Sequence, residues 1–425
     1  MTDLFILGIY LSFVVFGITR PYVAFAGYIW VDIIRPQSLA YGFLSGQPLS
    51  MMMAVLCIFS IIINFNKLKK TASFGIPLLL ILFSLWITFT TFNAYFPELA
   101  WFKWDSAFKT IIMSLCLYFV INTKEQLEFC ILTFSLSISY FIIASGLKSI
   151  LGGGGYGASL ISSGANTGLA ESSTLAMVAV LLMPLVIFLK KHTLLLTNLK
   201  QYNFLWNLSF VVIVASVIGT RARTGLIALA VYAGIYIVKS KHKIRNSILV
   251  VIVAFLSFSF FVSDDWKQRM NTMHNVEQES SALGRILVWQ WTWDFVKENP
   301  NGGGFNAFRA NGGEWQQYAD VPIEGTHIKA FHSIYFEVLG EHGYVGLILF
   351  LWLIFSTWRS NKSIRDKNRA QDEEAWYADL AVALNHCLLI FCAAGAFIGV
   401  AFQPIVFYLI AFSVLLKKIK HNNYA

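Results

Sequence analysis

A histidine and a serine, His332 and Ser333, stand where a long polar stretch of the chain runs into an apolar one. Nine residues follow them (334–342), and then two glycines in the pattern Gly343-Tyr344-Val345-Gly346. The neutral imidazole of a histidine accepts a proton from a hydroxyl group near pH 7. The pattern therefore predicts one candidate general base at the head of an apolar helix, at a membrane surface. For His332 taken alone, a hydrogen-bonded structural histidine is the alternative.

Two carboxylates follow the histidine at helical spacing. Glu337 and Glu341 are four residues apart, so they share one face of the predicted helix. Carboxylates inside a membrane usually face the interior of a helix bundle or a water-filled cavity. These two could position His332 or line a substrate groove, and a purely structural role is equally open.

The candidate arginines are predicted to lie on the same side of the membrane as His332. Arg221 and Arg223 lie in the turn Thr220-Arg221-Ala222-Arg223-Thr224-Gly225, Arg285 follows Gly284 one turn before Trp289, and Arg309 follows a glycine-rich turn. The guanidinium fork matches phosphate oxygens and stays charged at any relevant pH. A group of them is suited to holding a diphosphate as a leaving group. The alternatives are contact with lipid headgroups for Arg221 and Arg223, and an ordinary loop salt bridge for Arg285.

The composition indicates a membrane protein. The 425 residues are 57% hydrophobic and 13% charged, and the mean hydropathy is +0.62, whereas soluble domains are about 25% charged. The net charge of +9 comes from short loops between apolar runs, which argues against nucleic-acid binding. All five cysteines fall in apolar runs without a CxxC pair, so neither a zinc site nor a disulfide framework is expected.

The apolar runs predict an all-α polytopic membrane protein with about 12 transmembrane helices. The first 35 residues form two short runs, 4–19 and 21–34, either a hairpin or one span followed by an interfacial helix. We predict an N-terminal transmembrane region over residues 1–150 and a second region over residues 151–425. The predicted spans after residue 35 are 49–65, 74–92, 107–121, 127–150, 171–189, 204–219, 224–238, 246–262, 334–357, 378–399 and 402–416.

The basic clusters all fall on one side of this arrangement, which the positive-inside rule assigns to the cytoplasm. They are Lys67 to Lys70, Lys190 and Lys191, Lys239 to Arg245, Arg359 to Arg369, and Lys417 to Lys420. The opposite side receives the candidate residues and a loop of about 70 residues, 263–333, with six Lys/Arg, nine Asp/Glu and five tryptophans. This composition favours a folded cap with short helices; a structural lid or a partner-binding surface is the alternative.

Together, these features resemble the O-antigen ligase and polymerase superfamily of bacterial envelope glycosyltransferases. The ligase signature of that family is His, then Asn, Ser or Gln, nine residues and Gly-x-x-Gly, which His332 to Gly346 matches without departure. The arginine turn at 220–225, the Gly284-Arg285 motif and the glycine-rich loop 299–308 are similar to its other motifs in order and spacing. The resemblance covers roughly residues 200–420.

The resemblance implies a metal-independent, inverting glycosyltransferase of the GT-C type that uses no cofactor. The donor would be a glycan on undecaprenyl diphosphate in the bacterial inner membrane, with the active site facing the periplasm and membrane lipids around it. His332 would be the general base for an acceptor hydroxyl, and arginines would replace a divalent cation at the diphosphate. The residues implied to bind the diphosphate are Arg221, Arg223 and Arg285, and those in possible supporting roles are Arg309, Ser333, Glu337 and Glu341.

The N-terminal region is similar to the O-glycosylation ligases often associated with exosortase systems. The similarity rests on Arg20-Pro21-Tyr22, Trp30, Arg35-Pro36-Gln37-Ser38-Leu39 and Tyr41-Gly42, although this chain has Arg-Pro-Gln where those relatives have Asn-Pro-His. It favours a protein hydroxyl as the acceptor. Lipid A-core ligation and polysaccharide polymerisation stay open. A transporter of lipid-linked sugars is disfavoured, because the sequence lacks the repeated halves common in transporters.

Overall fold

The computed structural model describes residues 2–65, 75–151, 169, 171–239, 242–245, 248, 276–319, 327–367 and 374–424. Within these ranges the regular structure is entirely helical, as the sequence predicts. The α-helices are α1 (Thr2–Thr19), α2 (Pro21–Ile34), α3 (Leu49–Ile63), α4 (Gly75–Phe92), α5 (Pro97–Val120), α6 (Lys124–Leu151), α7 (Ser172–His192), α8 (Asn203–Gly219), α9 (Arg223–Lys239), α10 (Val276–Glu298), α11 (Ile334–Lys367), α12 (Ala375–Gly395) and α13 (Pro404–Tyr424).

Several of these helices are suited to crossing a membrane, so the chain is a multi-pass membrane protein. By length and hydropathy, six of the described helices qualify, namely α1, α4, α6, α7, α11 and α12. Three more, α3, α8 and α9, are apolar but shorter. The predicted span 246–262 lies almost wholly outside the described residues, and the total of about 12 stays a prediction.

The first two helices form a hairpin, one of the two arrangements expected for residues 4–34. Pro21 starts α2 because its fixed φ suits the first helical position and its missing N–H needs no partner there. Gly17 of α1 packs against Ala24 of α2, and Gly27 packs against Phe13, so the two helices run antiparallel at close range. The side chain of Asp3, at the other end of α1, accepts hydrogen bonds from the backbone N–H of Gly42 and Leu44, both at 3.1 Å.

The helix that contains the third predicted span after residue 35 is longer than that span. α5 starts at Pro97, ten residues before the predicted start of the span at 107. The charged and aromatic residues Trp101 to Asp105 suggested a loop, but Lys103 is directed into the protein, where two carboxylates bind it. A helix tolerates an intramembrane charge of this kind when the charge faces a partner in the bundle.

The long helix α11 is broken at Gly343. This residue has φ 66° and ψ −165°, outside the helical region, and the helix continues after it. Because the break leaves carbonyl groups without helical partners, other groups bond to them. The backbone N–H of Gly303 donates to Gly340 O at 3.0 Å, and that of Gly304 donates to Glu341 O at 2.8 Å. The indole of Trp86 donates to His342 O at 2.8 Å.

The glycine-rich segment 299–304 therefore fits into the break in α11. On its other side, the Tyr344 backbone N–H donates to Pro300 O at 3.1 Å. A side chain on Gly343 would overlap Pro300 and Asn301, and a Cβ on Gly302 (φ 79°) would lie 2.6 Å from the Glu341 backbone. The two glycine motifs of the sequence are thus halves of one structural unit, which fixes the residues leading into α11.

We use "the cap" for residues 276–319 and 327–333, which connect to the start of α11. The cap contains α10 and two 3-10 helices, Ala307–Asn311 and Glu314–Tyr318. It has an apolar cluster of its own, separate from the main core of the helix bundle. The buried members of that cluster are Leu287, Val288, Trp291, Ala307, Trp315 and Phe331. The described part of the predicted loop is thus a packed layer with one 23-residue α-helix and two short 3-10 helices, not short helices alone.

Candidate functional site

A cavity of about 410 Å³ lies where the cap meets the helix bundle. His332, Glu337 and Glu341 line it, together with Lys103 of α5 and Asn306 of the cap. The helices α5 and α11, the cap and the residues just before α13 all contribute to the lining. The residues that surround the His332 imidazole in this cavity are therefore distant in the sequence and come together only in the folded protein.

His332 is held by the packing of the residue before it. The indole N–H of Trp289 donates to Phe331 O at 2.8 Å. The Trp289 ring also stacks on Phe336, with centroids 5.0 Å apart and an interplanar angle of 1°. His332 itself has φ 48°, in the left-handed region that is uncommon for residues other than glycine. A strained backbone of this kind is typical of residues whose orientation serves a site.

The His332 imidazole is neutral at physiological pH. Burial and the positive charges of Arg285 and Lys329 lower its pKa from the usual 6.5 to about 4, and only Glu337 acts in the other direction. A neutral imidazole has one ring nitrogen free to accept a proton. The ring is therefore in the protonation state that a general base requires.

The charge of Arg285 acts on His332 and lowers the pKa of its imidazole. Arg285 is half-buried, and burial lowers its pKa; the carboxylate of Glu171 opposes that shift, and the charge of Arg223 adds to it. The charge of Arg223 thus acts on Arg285, and that of Arg285 acts on His332. Lys329, which is half-buried too, adds a third cation, and its own pKa is lowered by burial and by Arg285.

The other predicted arginines are not among the charges that shift the pKa of His332. Arg221 is half-buried in the turn between α8 and α9, two residues before Arg223, with φ 54°. Arg309 is exposed, and its guanidinium lies 5.7 Å from the centre of the ring of Phe308, a cavity residue. Among the described residues that line the cavity, none is an arginine. The charge of Arg285 therefore acts on His332 directly, and the charge of Arg223 acts on Arg285.

The two predicted carboxylates share one lysine. Lys103 Nζ donates to Glu337 Oε1 at 2.8 Å and to both Glu341 oxygens at 2.8 and 2.9 Å. Glu337 also accepts from the Ala401 backbone N–H at 2.9 Å, and Glu341 accepts from that of Asn306 at 2.9 Å. Both carboxylates line the cavity, so they help to fix its shape. Each is held by an ammonium and a backbone donor.

Sequence reasoning missed Lys103 and Lys329. A lone lysine among Trp101, Phe102 and Trp104 was the available signal for Lys103, because an isolated charge on an aromatic helix needs a partner. Its partners lie 234 and 238 positions away, which the sequence alone does not reveal. Lys329 precedes His332 by three residues on an irregular segment, where spacing does not predict proximity.

The remaining histidines near the motif have other environments. His342 is fully buried, and its Nδ1 and the hydroxyl of Thr90 are 2.6 Å apart. The ring of His342 packs against Phe305 and Phe402. His327 is exposed, and its backbone carbonyl accepts from the Trp315 indole at 2.7 Å. Neither His342 nor His327 is among the described residues that line the cavity.

The fold and the site define a multi-pass helical membrane protein with a polar cavity beneath a cap. Residues 208–351 match the model of the family described as O-antigen ligase. This match supports a domain of the O-antigen ligase and polymerase superfamily at these residues, and that family implies a glycosyltransferase-like enzyme with a lipid-linked glycan donor and an acceptor. The matched range contains the arginine turn, the Arg285 motif, the glycine-rich loop and the histidine signature.

The N-terminal part of the chain matches a different model. Residues 1–194 match a family of unknown function (DUF5935). This match names no activity, so it does not confirm the exosortase-associated subtype. None of the curated proteins compared with the chain is a significant match.

Proposed function

We propose that the protein is a glycan ligase of the bacterial inner membrane. In this proposal it transfers an oligosaccharide from undecaprenyl diphosphate to an acceptor hydroxyl on the periplasmic face. The observation that carries the proposal is the position of His332, neutral and strained, at a polar cavity and beside the cations Arg285 and Lys329. This arrangement combines a proton acceptor with charges for an anionic leaving group.

The reaction would proceed in one displacement. The free ring nitrogen of His332 takes the proton of the acceptor hydroxyl, and the oxygen attacks the anomeric carbon of the donor sugar. The bond from that carbon to the diphosphate oxygen breaks, and the diphosphate leaves with the electron pair. Arg285 and Arg223 would stabilise the charge on this group. Attack opposite to the leaving group inverts the anomeric centre, and no divalent cation is needed in this scheme.

Donor binding would also adjust the base. In the free protein, Arg285 and Lys329 lower the pKa of His332. A bound diphosphate brings negative charge next to the same cations, which favours the protonated imidazole. The pKa of His332 would thus rise when the donor is in place, so that the base strengthens in the complex that reacts.

The acceptor we propose is a serine or threonine hydroxyl of an envelope protein. The resemblance of the N-terminal motifs to O-glycosylation ligases supports this choice. An acceptor sugar on lipid A-core, or a growing polysaccharide in a polymerase, would use the same base and the same donor. The identity of the transferred product separates these three acceptors.

The test is glycan transfer in a host that supplies an oligosaccharide on undecaprenyl diphosphate. We expect wild type to glycosylate envelope protein and His332→Ala to lose at least about 100-fold in rate, the usual contribution of a general base. Arg285→Lys should also be impaired, because a point charge does not replace a bidentate fork. His327→Ala is the matched control, since it removes an exposed histidine five residues earlier.

The outcomes separate the possibilities. Equal transfer by wild type and His332→Ala at equal expression would contradict the base assignment. Wild-type transfer by Arg285→Lys would count against diphosphate binding by that residue. Glycan on lipopolysaccharide alone would move the acceptor to lipid A-core, and longer glycan chains without transfer to either would indicate a polymerase.

A further inference from the structure

A second cavity, of about 690 Å³, lies at the end of the bundle remote from the cap. Residues of α4, α5, α11 and α13 line it. α11 begins at the cap and reaches this cavity at Trp352, roughly 27 Å further along its length, and it lines the cavity as far as Ser363. The volume is in the range of roughly 300–1,000 Å³ that ligand sites occupy. We call it the basal cavity.

The lining of the basal cavity is positively charged. Arg359, Lys417 and Lys418 contribute to it, and none of its described residues is acidic. Lys418 is only 2% exposed, and its ammonium donates to Tyr118 O at 2.5 Å. A buried cation is costly in a membrane protein and usually marks a functional site. The cavity is thus built to face negative charge.

Nearby acidic residues bind cations outside the lining. Arg365 pairs with Asp366 at 2.7 Å, and Lys420 pairs with Glu374 at 3.5 Å. Neither of these cations belongs to the cavity. These two carboxylates are therefore engaged elsewhere.

Hydroxyl groups complete the polar side of the basal cavity. Ser356, Ser360 and Ser363 line it from α11. The Ser360 hydroxyl is buried and has no hydrogen-bond partner among the residues that the structure describes. A buried hydroxyl without a partner carries a desolvation cost that a ligand oxygen can remove. Hydroxyl donors beside cations suit phosphate oxygens.

The other side of the basal cavity is apolar and continues to the surface of the bundle. Leu78 and Leu82 of α4 and Trp352 of α11 line it, yet they are 51%, 43% and 55% exposed. In a membrane-spanning bundle, such exposed apolar side chains face lipid. A soluble anion would gain nothing from this surface, whereas acyl chains would pack along it.

We propose that the basal cavity binds an anionic phospholipid. Its phosphodiester headgroup would lie among Arg359, Lys417 and the Ser360 hydroxyl, and its acyl chains would follow Leu82 and Trp352. Basic pockets between membrane helices bind anionic headgroups for this electrostatic reason. Under the orientation predicted from the basic clusters, the lipid belongs to the cytoplasmic leaflet. This binding is independent of the transfer reaction at the cap.

Native mass spectrometry of the full-length protein in nonionic detergent tests the proposal. Phosphatidylglycerol and phosphatidylcholine are titrated separately, and the bound lipid is counted. We expect one phosphatidylglycerol to bind far more tightly than phosphatidylcholine. Each basic residue near an anionic lipid contributes about 1 kcal/mol, or about fivefold. Arg359→Gln with Lys417→Gln should therefore weaken phosphatidylglycerol binding about 30-fold.

The matched control is Lys190→Gln with Arg245→Gln, which removes one lysine and one arginine from the same predicted face but outside the cavity. It should leave the affinity unchanged. Equal affinity of the wild-type protein for the two lipids would overturn the proposal without any variant. Equal weakening by both double variants would also overturn the proposal, because general surface charge would then explain the lipid binding. Displacement of the lipid by low-millimolar inorganic phosphate would make the cavity a phosphate site instead.

Discussion

At the scale of single residues, His332 takes its character from its positive neighbours. Burial, Arg285 and Lys329 all disfavour the imidazolium, so the pKa is lowered to about 4. In the unfolded chain the same histidine titrates near 6.5. Between these values the unfolded state binds a proton that the folded state does not, so this group costs stability progressively as pH falls from 6.5 to 4. At neutral pH it costs almost nothing.

The lowered pKa makes a prediction for the pH dependence of transfer. The acid limb of kcat/KM reports the pKa of the base in the free enzyme. We expect it to be flat from pH 7 down to about 5 and to fall only towards pH 4. Lys329→Met removes one of the cations and should move the limb to higher pH. The measurement is initial rate against pH with purified protein and donor; a wild-type limb at 6.5 would contradict it.

Lys103 makes a second prediction at this scale. Its ammonium is shared by Glu337 and by Glu341, whose side chain is 0% exposed. Removing one partner of a buried ion pair strands the other, at a cost of about 3–5 kcal/mol. Lys103→Met should therefore lower the thermal unfolding temperature clearly, and adding Glu337→Gln and Glu341→Gln should restore much of the loss. If the triple variant is no more stable than Lys103→Met, stranded charge is not the cause.

At the residue scale, the sequence was enough to propose His332 as a base and Arg285 as a diphosphate ligand, but not to show the residues around them. The types and spacing of His332 and Arg285 were enough to propose their roles, because each carries chemistry by itself. Lys103 was not recognised, because an ion pair across the fold depends on tertiary packing. Local spacing reported that Glu337 and Glu341 share a face, but not that a lysine bridges them.

At the scale of elements, the two glycine motifs form one structural unit. The Gly-x-x-Gly pattern lies within the predicted span 334–357, but Gly343 breaks the helix there. The segment 299–304 then supplies the hydrogen bonds that the break requires. A sequence pattern with helical spacing does not reveal such a break, because glycine is compatible with both outcomes. The same limit applies to α5, whose start at Pro97 was hidden by its charged first turns.

This interpretation predicts that Gly343→Ala is severely destabilising. The φ 66°, ψ −165° region is open almost only to glycine, and a Cβ there would overlap Pro300. We expect a loss of at least about 3 kcal/mol, seen as a lower unfolding temperature in detergent. Gly234→Ala in α9 is the matched control, because a Cβ at Gly234 meets nothing within 4 Å. It should be neutral or slightly stabilising. Similar behaviour of both variants would contradict the role of the break.

At the scale of the whole molecule, the polar chemistry is divided between two ends of one bundle. The cap and its cavity lie at the start of α11, and the basal cavity lies near its far end. The hydropathy of the chain was sufficient to predict the all-helical membrane class, because apolar length is a direct requirement of the bilayer. It was not sufficient to show that the cap has its own apolar cluster, since the packing of an irregular loop has no period in the sequence.

The positive-inside rule makes a testable prediction about these two ends. The cap should face the periplasm and the far end of α11 the cytoplasm. Gln317 is exposed on the cap, and Lys362 is exposed on the far part of α11. We expect a cysteine at 317 to react in intact cells with a maleimide that does not cross the inner membrane. A cysteine at 362 should react only after permeabilisation.

The native cysteines allow this measurement with a simple background. Cys57, Cys130 and Cys387 are buried, and Cys116 and Cys392 are half-buried, so a variant with all five replaced by serine is needed only if wild type is labelled.

A glycan on a lipid carrier in the outer leaflet can reach His332 only if the cap is on that side. Labelling of position 317 only after permeabilisation would therefore contradict both the orientation and the proposed donor. Labelling before it would agree with a basal cavity at the cytoplasmic leaflet, where the basic clusters at the C-terminal ends of α11 and α13 place it.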